Sequence, residues 1–361
     1  MITPVACNAE SRHVFFGTGG PGADGIYRSE FETVSGKLSP AIKVAAASNP
    51  GFLALHPRGG ILYAVATLDK VPVVAAYRID PTGSLSLLAS SPIGDGASAH
   101  IAVHPSGRFL LTAQYGGGSV ALFPLDREGT PGSAHLIEHS GGSRVVAKRQ
   151  DTPHPHWCGF SPDGRFALVP DLGLDRIVIY RVDQEKPAIE PHGFATSLPG
   201  SGPRHLRFSP DGRFIYLLEE LSLTVTTFAW DAANGIANRI ATVPTLSEEA
   251  KSAEEMNAAA EILVHPNGRF VYASNRGNDT VTVFHADPAT SALKPVQIQP
   301  VRGAFPRNIN LSPGAGWLLA AGQDSNTVSV HKLDSKTGKL TFQTKGVINV
   351  PAPICILFVK K

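Results

Sequence analysis

The sequence predicts an all-β fold, a seven-bladed β-propeller with four antiparallel strands per blade and a ring closed by pairing of the N- and C-terminal strands. Three observations predict it. A turn recurs six times, as "HPRGGILYAV" at Pro57, "HPSGRFLLTA" at Pro105, "SPDGRFALVP" at Pro162, "SPDGRFIYLL" at Pro210, "HPNGRFVYAS" at Pro266 and "SPGAGWLLAA" at Pro313, and a fixed period of this kind marks stacked supersecondary units. Those prolines lie 48, 57, 48, 56 and 47 residues apart, room for four short strands and their turns. The chain ends supply a seventh copy: "APICILFVKK" resembles the strand before each turn and "SRHVFFGTGG" the strand after it.

Within each unit the turn joins two apolar strands, most clearly "RHLRFS" and "RFIYLL" around Ser209-Pro210-Asp211-Gly212. Proline presets the first torsion of such a turn and glycine accepts the left-handed one. A third strand alternates apolar and polar residues, as in "SVALFPLD", "RIVIYRVD", "TVTTFAWD", "TVTVFHAD" and "TVSVHKLD", the period of a half-buried strand. A less regular fourth segment leaves through glycine or proline. One such sheet cannot bury both of its faces, so the units stack in a ring. Pairing the two chain ends removes two exposed sheet edges and predicts a single domain over residues 1–361. Two longer connections interrupt the pattern. "PTLSEEAKSAEEMNAAAE" at 244–261 holds helix formers and reads as a surface excursion, a short helix or a lid. "HSGGSRVVAKRQDTPHPH" at 139–156 holds Arg144, Lys148 and Arg149, the densest basic cluster, which reads as solvated loop charge or as a place for a phosphate.

Composition narrows the function classes. The chain is 42% hydrophobic and 17% charged with 36 Gly and 29 Pro, which favours short strands over long helices. With 32 Lys+Arg against 30 Asp+Glu, no overall field recruits nucleic acid or an acidic membrane. Three distant cysteines, Cys7, Cys158 and Cys355, form neither a disulfide framework nor a thiolate zinc site and fit a reducing cytoplasm. No basic segment leads into a long apolar run near the N-terminus, and no stretch approaches the ~20 apolar residues that span a bilayer; a soluble, unexported protein is expected. Oligomeric state is not legible in these features.

Topology gathers the polar residues. If the Pro-x-Gly turn joins the inner strand of a blade to the second, it lies on one face of the disc, and the connections into the inner strand and out of the second lie on the other. Starts of inner strands then contribute His100, His154, His156, Arg204, His205, Glu261, Arg307 and Asn308 to one mouth of the channel. Ends of second strands contribute Asp69, Tyr115, Asp171, Glu219, Glu220, Asn275, Arg276 and Gln323. Arg204 and Glu220, at opposite ends of one hairpin, meet there. Taken singly, a histidine at a strand start is more often a structural group than a catalyst, Asp171 and Asp175 are good turn caps, and an exposed Arg–Glu pair adds little stability. Two arginines, a carboxylate and a histidine on adjacent blades read together as an anion site with a proton-transfer group. The "HPHW" pair completes no zinc signature, so no metal is expected. "GTGGPG" opens no amphipathic helix, so no nucleotide cofactor is expected either.

In "HPHWCGFSPDGRFALVPDLGLDRIVIYRVD", "GPRHLRFSPDGRFIYLLEEL", "NAAAEILVHPNGRFVYASNRGNDTVTVF" and "FPRNINLSPGAGWLLAAGQDSNTVSVHKLD" the chain resembles the seven-bladed lactonases. That family includes propeller-type 6-phosphogluconolactonases and the 3-carboxy-cis,cis-muconate lactonizing enzymes. The resemblance implies His156 as the active-site histidine, Arg204 and Arg276 as the arginines and Glu220 as the carboxylate. His154, His205, Glu261, Arg307, Gln323 and Asp171 are expected around the substrate. The N-terminal "GTGGPGADG" at 17–25 departs from the family pattern. The activity implied first is hydrolysis of a sugar-acid lactone, 6-phosphogluconolactone above others, with a His/Glu acid–base pair and an arginine anion clamp. A muconate-type cycloisomerase and a non-catalytic binding propeller are the alternatives; the last needs a flat contact patch, and no exposed aromatic run supplies one.

Overall fold

The computed structural model describes residues 11–361; Cys7 lies outside the described residues. Twenty-eight strands form seven four-stranded antiparallel sheets, each with its strands in sequential order except the closing one. In the closing blade the C-terminal strand Pro353–Lys360 takes the inner place and pairs with Ser11–Thr18, followed outward by Gly25–Glu32 and Ile42–Ala46. The register runs from Arg12 opposite Lys360 to Gly17 opposite Cys355. Chain closure and the assignment of both terminal segments therefore stand as expected.

The six other blades occupy residues 53–92, 100–138, 159–196, 203–244, 258–300 and 306–349. Seven apolar clusters, one between each neighbouring pair of sheets, make the core. Between the third and fourth blades Phe166, Leu168, Ile177, Leu206, Ile215, Leu217 and Phe228 are fully buried. Second and third strands are buried on both faces because each sheet is sandwiched, whereas outer strands such as Ile236–Pro244 are largely exposed. Burial of one such aromatic or aliphatic side chain contributes roughly 1.5–3 kcal/mol.

On the turn face, an arginine next to the turn glycine reaches into the next blade in the first five of the six repeated turns, Arg58 before its glycine and the other four after it. Arg58 Nη2 donates to the Arg127 carbonyl at 3.0 Å, Arg108 Nη1 to that of Glu185 at 2.7 Å, Arg213 Nη2 to that of Pro288 at 3.1 Å and Arg269 Nη2 to that of Lys336 at 2.8 Å; Arg165 does the same to Ala232. The sixth turn lacks this arginine, and Trp317 Nε1 donates to the Thr33 carbonyl at 2.9 Å in its place. Turn histidines His56 and His104 donate through Nε2 to the carbonyls of Gly107 and Gly164 in the following turns, so these are structural groups. The 244–261 connection contains one short helix, Glu248–Ser252, capped by Ser247 and burying none of its residues, the surface excursion of the plainer reading.

Candidate active site

The mouth opposite the turns carries a cavity of about 450 Å³ lined by Tyr115, Arg149, His156, Glu220, Arg276, Arg307 and the 97–99 loop. Local backbone irregularities aim these side chains. The pairing of Pro203–Phe208 with Phe214–Glu219 skips Arg204, and that of Pro306–Leu311 with Trp317–Gly322 skips Arg307. A bulge leaves one residue out of the ladder and turns its side chain away from the sheet normal; here it turns an arginine toward the channel. Gly202 precedes the first bulge with φ +68°, where a Cβ would meet Leu221 Cγ at 2.6 Å. Gly277, after Arg276, has φ +87° and no room for a Cβ beside the Met256 carbonyl.

Glu220 organises the site. Its Oε2 accepts from Arg204 Nε at 2.8 Å and lies 3.0 Å from Arg276 Nη2, and its Oε1 accepts from Arg149 Nη2 at 2.7 Å. Burial alone would push this carboxyl up, but Arg276, Arg204, His156 and the Arg149 hydrogen bond together hold it well below the usual carboxylate range. It is thus an ionised anchor for three arginines. Arg204 is 1% exposed and also donates to the Ala260 carbonyl; burial and then Arg276 push its pKa down to about 9, still cationic at neutral pH. Arg276 donates to the Ala259 carbonyl at 3.0 Å and stacks 5.1 Å above the Phe305 ring. Arg307 donates no hydrogen bond among the described residues, and burial and then Arg276 lower its pKa to about 10.

His156 is 5% exposed, and burial, then Arg204 and His205, hold its pKa well below 6.5. The ring is neutral, as a general base must be. Glu220 Oε2 lies 3.9 Å from Nε2, beyond hydrogen-bond distance, and Nδ1 is buried without a hydrogen-bond partner.

Of the remaining residues expected around a substrate, Arg307 lines this cavity and His205 a narrower space beneath it. Four do not line the cavity. His154 turns away from His156: its Nδ1 donates to the Tyr115 carbonyl at 2.7 Å and its ring stacks on Tyr115 at 4.6 Å. Asp171, fully buried, accepts from His139 Nδ1 at 2.6 Å and from the His154, Gly173 and Leu174 amides, the capping part that aspartate plays in turns. Glu261, also fully buried, accepts from Arg207 at 3.0 Å and Asn308 at 2.7 Å, tying its inner strand to those of the blades on either side. Gln323 Nε2 donates to the Gly19 carbonyl at 2.6 Å and latches the N-terminal glycine-rich loop to the sixth blade. Strand-end side chains in a crowded ring find partners on neighbouring blades or turns before they reach the channel axis. Arg149, within the basic loop, and Tyr115 line the cavity beyond the residues expected there. Arg149 turns inward while Arg144 and Lys148 stay exposed, a separation that linear spacing does not carry. No group of three or more His, Cys, Asp or Glu among the described residues gathers to hold a metal.

Comparison with known proteins adds to this geometry. Residues 13–358 match the family described as lactonase, 7-bladed beta-propeller. The chain is 31% identical over 339 residues to a 6-phosphogluconolactonase of Bacillus subtilis, with 93% of this chain and 95% of the relative covered. It is 33% identical over 324 residues to a 6-phosphogluconolactonase of Formosa agariphila, covering 88% and 90%. The structure of a periplasmic gluconolactonase of Pseudomonas aeruginosa superposes with a TM-score of 0.89 at 30% identity, over 97% of this chain and 99% of that one.

Proposed function

Because the chain belongs to the lactonase family of seven-bladed β-propellers, we propose that it opens sugar-acid lactones by hydrolysis, a reaction of carbohydrate metabolism, with 6-phosphogluconolactone the first candidate substrate. The observation that carries this reading is a cavity in which a neutral imidazole faces more guanidinium charge than its single carboxylate balances. An anionic ligand is what such a site accepts.

The chemistry follows from the residues. Neutral His156 takes a proton from water as the oxygen adds to the lactone carbonyl carbon. Negative charge grows on the carbonyl oxygen and is met by Arg276 and by Arg307, whose donors are not spent on the protein. Collapse of the adduct breaks the ring C–O bond, and protonated His156 returns its proton to the departing ring oxygen. Glu220, permanently ionised, holds the arginine array in place and stabilises the imidazolium that forms in between. Arg149, with its side chain 40% exposed at the outer end of the cavity, is placed for the phosphate of a phosphorylated substrate.

The test is acid release from freshly made 6-phosphogluconolactone in weak buffer, measured against the spontaneous rate and against unphosphorylated gluconolactone. Acceleration by the wild-type protein that is abolished in Arg204→Ala is the expected outcome. Inertness toward both lactones would overturn the hydrolase reading. The expectation of a cytoplasmic protein rests on its free thiols; Cys158 and Cys355 are both buried and so sheltered in any compartment, and cell fractionation is the measurement that bears on it.

A further inference from the structure

Asp175 lies in the connection between the second and third strands of the third blade, is 3% exposed, and holds its backbone at φ +54°. Its carboxylate reaches two other connections on the mouth face. Oδ1 accepts from Gln150 Nε2 at 2.6 Å and from the Gly202 amide at 2.9 Å, and Oδ2 accepts from the Gly200 amide at 2.7 Å. Gln150 is fully buried and fastens the loop that enters the third blade. Its Nε2 donates also to the Leu172 carbonyl at 2.8 Å, its Oε1 accepts from the Val146 amide at 3.1 Å, and its backbone carbonyl accepts from the Arg144 amide at 3.0 Å. Arg149 is the residue before it, and the Arg149 guanidinium leaves this fastened turn for the cavity. On the other side, the Gly202 carbonyl accepts from the Glu220 amide at 2.7 Å, and Gly202 leads into the bulge at Arg204. The Arg149–Glu220 ion pair, 2.7 Å long, is thus tied at both ends to one carboxylate that does not itself line the cavity.

We propose that Asp175 is a positioning residue of the candidate active site, holding Arg149 in place through Gln150 and Glu220 through Gly202. The inference rests on the hydrolase reading. It goes beyond the turn-capping part that aspartate ordinarily plays. A turn cap accepts from amides of its own turn, as Asp171 does from Gly173 and Leu174. Every group from which the Asp175 carboxylate accepts lies 25 or 27 residues away. A long arginine side chain meets an anion with defined geometry only where the backbone that carries it is fixed. Gln150 fixes that backbone for Arg149 alone. Asp175 acts on Arg149 and Glu220 together, and Glu220 in turn pairs with Arg204 and Arg276.

The experiment is a double-mutant cycle. kcat and KM for freshly made 6-phosphogluconolactone are measured for the wild type, Gln150→Ala, Arg149→Ala and the double variant, with Asp175→Asn beside them and Tm recorded for each. Arg149→Ala is expected to raise KM about 10-fold, the scale of one charge-assisted hydrogen bond. Gln150→Ala should raise it about 5-fold in the wild-type background and less than about 2-fold in the Arg149→Ala background, because its effect passes through Arg149. Asp175→Asn keeps the side-chain shape and replaces one accepting oxygen with a donor; it should raise KM similarly and also lower kcat about 10-fold, since Glu220 loosens with Gly202. Additive effects of Gln150→Ala and Arg149→Ala would overturn the positioning role while leaving the hydrolase intact. Lowered Tm with wild-type kinetics in Gln150→Ala and Asp175→Asn would do the same, as would wild-type kinetics in Arg149→Ala, which would leave nothing to position. Should Asp175→Asn not fold, the cycle decides by itself, because Gln150→Ala cuts the same bond from the other side. A wild type that accelerates no lactone overturns the reading beneath, whatever the variants do.

Discussion

Glu220 is the charge around which the candidate site is assembled. Three arginines reach it from the 139–156 loop, the fourth blade and the fifth, and its charge is what lets them lie so close together. Removing one partner of a buried ion pair leaves the others uncompensated. Glu220→Gln is therefore expected to lower kcat/KM by ~100-fold or more, the scale of losing a major electrostatic element of an active site. His156 carries the pH dependence. Its pKa is held well below 6.5 by burial and by Arg204 and His205, so the base stays unprotonated as pH falls through the ordinary histidine range. The acid limb of kcat/KM should accordingly lie well below pH 6.5. A limb centred at the ordinary histidine value would show that His156 is not the base or is not buried as described.

At the scale of elements, the same hairpin serves two purposes at its two ends. The turn end of the Pro203–Glu219 hairpin joins blades through Arg213, which donates to the Pro288 carbonyl, and its open end carries a bulge that aims Arg204 at the channel; in the sixth blade Trp317 takes the arginine's place and the bulge aims Arg307. Stability and recognition are thus placed on opposite faces of the disc and can be altered separately. Arg269→Ala removes a single inter-blade hydrogen bond, to the Lys336 carbonyl, far from the cavity. The expected cost is about 1 kcal/mol, seen as a small fall in Tm with kcat and KM unchanged. A loss of activity in Arg269→Ala would mean that the turn face communicates with the mouth.

The whole ring behaves as one object because its last strand completes its first sheet. Strand Pro353–Lys360 brings Ile354 to the channel neck and Cys355 and Ile356 into the cores on either side of the closing blade, so a single cooperative unfolding transition is expected. Acid should loosen the ring in a predictable direction. His100, His156 and His205 are all held neutral, well below 6.5, with burial the largest cause for each. Below pH 6.5 the unfolded chain binds protons at these sites and the folded chain does not, so their stabilising contribution is full above that pH and is lost as pH falls. Glu219, whose carboxyl burial raises, opposes them with one proton. Tm should be level above about pH 7 and fall toward pH 5, with a net uptake of more than one proton on unfolding. A level Tm across that range would contradict the neutral, buried state of the three rings.

The sequence by itself determined the blade count, the four strands of each blade, the circular closure and the face on which Arg204, Glu220, Arg276 and His156 meet. The reason is that turn chemistry and two-residue alternation are local properties, and a repeat of them leaves only a ring in which to bury both sheet faces. Only the tertiary structure decided which polar strand ends reach the cavity. His154, Asp171, Glu261 and Gln323 share the strand-end pattern of the lining residues, yet each spends its hydrogen bonds on a neighbouring blade or turn. Arg149 does the reverse, leaving an exposed loop to meet Glu220. Those outcomes depend on bulges one residue long and on partners tens of residues away, and neither leaves a local signature in the chain.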